Sequence, residues 1–354
     1  MGLPNIDIIF RTQASDVIER SQKGTVGIIL KDTADAGGHE ITEASQIPAG
    51  LNAKNKGYIE RAFVGYVSKP QKVLVYVLGT EAENFTDALD YMSRYQVDYL
   101  VGPPDMEDGG STEIVTWVKE QRENHNMVKA VLPNKAADHE AIINFTTKAI
   151  TVGETEYTTA EYCSRIAGLI AGTPLTISST YAVLPEVTDV TRLTKTEMDT
   201  AIDNGEFILF HDGQKVKVGR GVNSLKTTAD NKGEIYKKIK VVDTIDIIYR
   251  DIRMVGQDSY IGKAANTYDD KCLLIMAVKG YFEQLEQDSI LQVGTSTVGI
   301  DMTAQRAYLK AHGVDVESMN EQQIKTASTG SEVLLAASIR ILDAIEDITL
   351  DCLI

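Results

Sequence analysis

Five histidines, His39, His125, His139, His211 and His312, are the residues best suited to general-base or metal chemistry. They are scattered. No two stand four apart, and there is no HExxH to place two imidazoles on one helix face. His211 adjoins the turn signal Asp212-Gly213 and reads as a solvated turn residue. Gly219-Arg-Gly-Val-Asn-Ser224 comes nearest to a phosphate-cradling loop. It lacks a third glycine and a Gly-Lys-Ser/Thr ending, and Lys226 to Gly233 separates it from the next helix. Its glycines read instead as permitting a tight change of direction after a strand. Glu81, Asp105 and Asp108 fall where strands of an α/β sheet end, the usual ligand side of such sheets, and could hold a divalent ion. No Ser/His/Asp or Cys/His set converges with them, so they read as acids of solvated loops. Cys163, Cys272 and Cys352 are too far apart for a zinc or disulfide frame and read as reduced thiols.

The bulk composition narrows the class further. Fifty-one acids against 35 bases give a net charge of −16, which argues against a nucleic-acid groove built from clustered Lys and Arg. The opening Met1-Gly-Leu-Pro-Asn-Ile-Asp7 has no signal-peptide pattern, and no apolar run approaches the ~20 residues of a membrane span. The expectation is folding in a reducing cytoplasm, with any later export by another route such as lysis.

The elements follow from periodicity. Thr25–Leu30, Lys72–Leu78, Val97–Val101, Val128–Leu132 and Ile142–Phe145 are apolar strand patterns. Between them lie helical patterns at Phe85–Tyr95 and Ile114–Asn124, followed by Thr159–Ala171. Strands alternating with helices predict a largely parallel α/β sheet. Asp32–Gly50 reads as a loop. Lys195–Asn204 reads as a helix capped by Thr194, with Glu197 completing a capping box and Gly205 stopping it. A hairpin over Glu206–Val218 with a two-residue Asp212-Gly213 turn comes next, then a long helix from Glu234 to about Val255 and a second over Asp269–Gln287. Asp246 and Asp251 are placed to pair with Arg250 and Arg253.

Both chain ends carry strand patterns without an evident local partner. Ile6, Ile8 and Phe10 alternate with Asn5, Asp7 and Ile9. After Gly330, Val333, Leu335, Ala337, Ile339 and Ile341 share one parity, whereas Ile348, Leu350, Cys352 and Ile354 share the other. Such a flip turns the apolar side over, so two strands in series are expected, an inner one closing the home domain and an outer one leaving it.

These residues resemble a known family. Glu206-Phe-Ile-Leu-Phe, Val216-Lys-Val-Gly-Arg-Gly-Val-Asn-Ser-Leu225, Val242-Asp-Thr-Ile-Asp-Ile-Ile-Tyr-Arg-Asp-Ile-Arg253, Tyr260-Ile-Gly-Lys263 and Ile345-Glu-Asp-Ile-Thr-Leu350 look like the sheath proteins of contractile phage tails and R-type bacteriocins. The likeness is most specific over 205–354. It implies a multidomain protein of mixed α/β and α+β class. Its expected parts are an N-terminal arm (1–20), a β-rich region (21–70), an outer, inserted α/β sandwich domain (71–184), an assembly core with a β-hairpin and long helices (185–342) and a C-terminal arm strand (343–354). It also implies a structural subunit that stacks as six-fold rings around an inner tail tube and contracts to drive the tube through a bacterial envelope. Ile6, Ile8, Phe10, Ile345, Ile348 and Leu350 would then be inter-subunit strand residues, and Lys237, Lys238, Arg250 and Arg253 inter-subunit or tube-facing charges. Expected partners are further copies of the chain, the tube protein, and baseplate and terminator or collar proteins. No cofactor, metal, nucleic acid or membrane insertion is implied. The competing reading is an α/β enzyme with a β-rich oligomerisation appendage, which predicts turnover and a discrete oligomer.

Overall fold

A computed structural model describes residues 18, 23–106, 108–229 and 232–353, and the expected N-terminal strand residues Ile6, Ile8 and Phe10 lie outside them. The described chain divides into a larger unit, 23–248 with 343–353, and a smaller one, 18 with 249–342.

The larger unit is built on β1 (Thr25–Lys31), β2 (Gly37–Ile41), α1 (Ala53–Ala62), β3 (Lys72–Leu78), α2 (Thr86–Met92), β4 (Tyr99–Val101), α3 (Asp108–Glu123), β5 (Lys129–Pro133) and β6 (Ile142–Phe145). The chain continues through the small antiparallel pair β7 (Ile150–Val152) and β8 (Thr155–Tyr157), then α4 (Thr159–Ala171), α5 (Lys195–Asp203), β9 (Glu206–Phe207), β10 (Leu209–His211) and β11 (Val216–Val218). Among the described residues, seven strands form one sheet in the order β2-β3-β1-β4-β5-β6-β9. Every neighbour pair is parallel except β2 with β3. The continuous apolar runs read from the sequence are therefore strands buried on both faces. Successive residues of β1 serve opposite cores: Val26, Ile28 and Leu30 pack with the α1 and α4 side, Ile29 with the α2 and α3 side. That is the period-two alternation a strand imposes.

Several local expectations are corrected. The stretch expected to be a loop contains β2, and the region read as β-rich contains α1, whose N-cap Asn52 accepts from the Asn55 amide. β1 lies inside the sheet, between β3 and β4. The expected hairpin is shorter. Glu206–Phe207 pairs with β6 as the sheet's edge, and only β10 and β11 form the hairpin. Its connection is four residues, Asp212 to Lys215, because the Asp212 carboxylate accepts the amides of both Gln214 and Lys215. The capped helix α5 matches its prediction: Thr194 and Glu197 form a reciprocal capping box, and Gly205 follows at φ 74°.

The helix expected from Glu234 is interrupted. Glu234–Lys237 is a 3-10 turn, Lys238 is extended, and α6 runs Ile239–Val255. The break has a cause, since Lys238 makes a β-bridge to Val222. Ile235, assigned to the apolar stripe by its spacing, is consequently 55% exposed.

The first part of α6 is fastened to the sheet by buried charge. Asp246 accepts from Arg122 at 2.8 and 2.9 Å and from Lys129 at 2.7 Å. Asp243 takes Lys23, the Tyr99 hydroxyl and Lys129. Burial works against the charged form of Lys129, yet Asp246 and Asp243 hold its pKa above the usual lysine value. Charges so placed persist because each is paired; removing one partner strands the others.

In the smaller unit the elements are α7 (Tyr268–Gln287), β12 (Thr297–Ile300), α8 (Met302–Ala311), α9 (Glu321–Thr326) and β13 (Leu335–Ser338). β12 and β13 pair antiparallel, with a further bridge from Leu291 to Ile341. The inner of the two strands in series thus exists, but it is short. Asp301 caps α8, and Asn320 caps α9 in a box with Gln323. The Asp251 carboxylate, also carried by α6, accepts from the Tyr281 hydroxyl at 2.6 Å.

Candidate assembly interface

Among the described residues, those first weighed for catalysis are not brought together. His211 accepts the Gly213 amide at 2.9 Å across its own turn. Among the described residues no three His, Cys, Asp or Glu side chains are grouped to hold a metal ion. Cys163 is buried on α4, which pushes its thiol pKa well up and leaves little thiolate.

The glycine-flanked turn after β11 has a different use. Gly219 and Gly221 do not take positive φ; they are needed for close approach. A Cβ on Gly221 would lie 2.6 Å from Ser179 Oγ and 3.0 Å from Ser178 Oγ. One on Gly219 would meet Ile208 at 2.9 Å. This closeness lets the Gly221 amide donate to Thr180 Oγ1 at 3.0 Å and sets Arg220 beside residues 343–347.

Those residues are held in a built socket. The Glu346 side chain is only 6% exposed. Its Oε1 accepts from Thr180 Oγ1 at 2.5 Å and lies 3.2 Å from Ser178 Oγ. Its Oε2 is 3.3 Å from Lys238 Nζ and 3.9 Å from Arg220 Nε. Lys238 also binds Asp343, and Arg220 donates to Asp347 at 2.7 Å. Partial burial disfavours the Lys238 cation, but Asp343 and Glu346 hold its pKa above the ordinary value.

Beyond the socket the character reverses. Ile345, Ile348, Leu350 and Leu353 are 80–97% exposed, and residues 343–353 join no strand of the described chain. A stretch outside any strand with bare apolar side chains is suited to a foreign sheet edge.

The other expected site residues are dispersed. Lys237 pairs with Glu234 at 2.8 Å, one turn back. Asp246, expected beside Arg250, is committed to Arg122 and Lys129. Arg250 is partly exposed and Arg253 exposed. Sequence reasoning missed Glu346, Asp343, Arg220, Ser178 and Thr180. One signal was available: Glu346 interrupts the apolar row it shares in parity with Ile348, Leu350 and Cys352.

Comparison with known proteins bears on what this interface serves. Residues 79–224 match the model of the phage tail sheath protein central domain, and 231–352 that of the phage tail sheath C-terminal domain. A tail sheath protein of Clostridium phage phiCD119 is 41% identical over 355 aligned residues, covering 99% of this chain and 98% of that one. The helical sheath of the anti-feeding prophage in its contracted state superposes with TM-score 0.72 at 14% identity, covering 100% of this chain and 99% of that chain. A sheath tail protein from Listeria innocua gives 0.68 at 16% identity over 93% of this chain and 97% of its own. The two structural likenesses speak to fold, the domain matches and the phage relative to kinship: this chain belongs to the phage tail sheath protein family.

Proposed function

We propose that this contractile tail sheath subunit polymerises as stacked six-fold rings around an inner tube, and that the rings contract to drive the tube through a bacterial envelope. The observation that carries this is the segment 343–353, rooted by Glu346 yet presenting Ile345, Ile348, Leu350 and Leu353 to solvent. Ile345, Ile348 and Leu350 add a strand to a neighbouring subunit, and Ile6, Ile8 and Phe10 at the other chain end do the same. A patch on one subunit that meets a different patch on the next builds rings and helical stacks rather than closed dimers. The remaining partners are the tube protein and the baseplate and terminator or collar proteins. The role is structural, without a cofactor or turnover. Assembly takes place in the bacterial cytoplasm, within a particle released on lysis. The units proposed to do this are the arm 1–20, the regions 21–70 and 71–184, the core 185–342 and the arm 343–354.

Deleting 343–354 tests the reading. The shortened chain is expected to keep its circular dichroism spectrum and yet give no long sheaths by negative-stain electron microscopy. Normal sheaths from it would remove the arm from the assembly.

A further inference from the structure

We infer that the Gly219-Arg220-Gly221 turn, with Ser178, Thr180 and Lys238, is a carboxylate receptor for this chain's own Glu346, and that it fixes where the free arm begins. The inference rests on the reading of 343–353 as an assembly arm. The turn does not cradle the anion with its own amides; it contributes the Arg220 cation and orients Thr180, and the anion is a side-chain carboxylate of the same chain. Three segments distant in sequence converge on Glu346: the loop at 178–180, the turn at 219–221 and the junction before α6. Enclosing a carboxylate carries a desolvation cost that its partners must offset. Thr180 illustrates how they are arranged. Its oxygen accepts the Gly221 amide, which leaves its proton for Glu346. Asp343 and Asp347 flank the buried carboxylate and reuse the same two cations, so the root is held at three points.

The consequence is geometric. With Glu346 seated and Asp347 tied to Arg220, Leu353 can reach about 20 Å from Asp347 at ~3.3 Å per residue. Released from the socket, Leu353 would sweep about 36 Å from residue 342 by the same rise. Confining Leu353 to the smaller radius raises its local concentration at an acceptor about sixfold, the cube of the ratio, provided that the acceptor lies within reach. The socket is therefore a positioning device for the arm, separate from the apolar residues that would pair with a neighbour.

The test uses the full chain in the Cys272→Ser, Cys352→Ser background, with a fluorophore on Thr349→Cys. In Glu346→Ala, and separately in Arg220→Ala/Lys238→Ala, the label's anisotropy in the free subunit is expected to fall. The critical concentration for sheath assembly should rise about sixfold, the ratio expected from confinement. The melting temperature of the subunit should move by no more than about 2 °C, as befits a tether at the surface. The charge swap Lys238→Glu/Glu346→Lys is expected to recover at least half of the anisotropy. Unchanged anisotropy in both socket variants, or a critical concentration within twofold of the parent, overturns the receptor assignment even when deletion of 343–354 abolishes sheaths. Wild-type sheaths from that deletion instead overturn the arm reading beneath it.

Discussion

His139 shows how one side chain can tie stability to pH. Its Nδ1 accepts the Ala141 amide at 3.1 Å, and its Nε2 lies 3.7 Å from Glu140. Burial, helped by Arg122, Lys232 and Lys119 and opposed by Glu140, pushes the imidazole down to about 4. The unfolded chain takes up this proton near pH 6.5, whereas the folded chain resists until about 4. Stability is therefore full above the higher value and falls as pH drops through that window. Glu140, held below the usual carboxylate range despite its burial by Lys232 and His139, acts in the same direction at lower pH. Urea titrations at pH 7 and pH 4.5 should differ by about 1–2 kcal/mol from His139 alone, after discounting for the water that reaches the ring. His139→Gln should flatten that slope. None of this was legible in the sequence, which shows a histidine beside a glutamate but not the lid of cations over them. Asp246 is similar: spacing offers Arg250 as its partner, and only the fold brings up Arg122 and Lys129.

At the level of elements, the sheet depends on how closely α1 and α4 approach. A Cβ on Gly168 would sit 2.0 Å from the Ala62 carbonyl oxygen, so the two helices meet backbone to backbone. Gly168→Ala should cost about 2–3 kcal/mol in urea unfolding, within the range for overpacking. Gly280→Ala on α7, where a Cβ would meet nothing within 4 Å, is the control and should be neutral or stabilising by up to about 1 kcal/mol. Elements with strong local causes were legible. The continuous apolar strands, the box-capped α5 and the long α7 all follow from spacing and caps. Elements set by a distant partner were not. β2 is a polar edge strand recognisable only through its pairing with β3. Lys238 breaks a helical pattern because Val222 bridges to it. The hairpin loses Glu206–Phe207 to β6 for the same reason, long-range pairing outweighing the local pattern.

For the whole molecule the dominant quantity is charge. At −16 per subunit, copies repel at long range, and close stacking requires local complementarity. Lys238 and Arg220 are engaged by the arm root; the proposed cations toward other subunits or the tube include Lys237, Arg250 and Arg253. Reversing Arg253 to Glu should raise the critical concentration for sheath assembly severalfold at low salt, with the difference shrinking toward 0.5 M NaCl as screening shortens. Subunit melting should stay unchanged; a parallel loss of melting temperature would make the residue structural. The chain's path adds one consequence for biosynthesis. The larger unit is discontinuous, opening at 23–248 and closing with 343–353 after the whole of the smaller unit has been made. During translation the socket at Thr180, Arg220 and Lys238 thus waits empty until residue 346 has left the ribosome. A chain cut short anywhere before that point has its receptor vacant, and under the proposed function it has no C-terminal arm to offer a growing polymer.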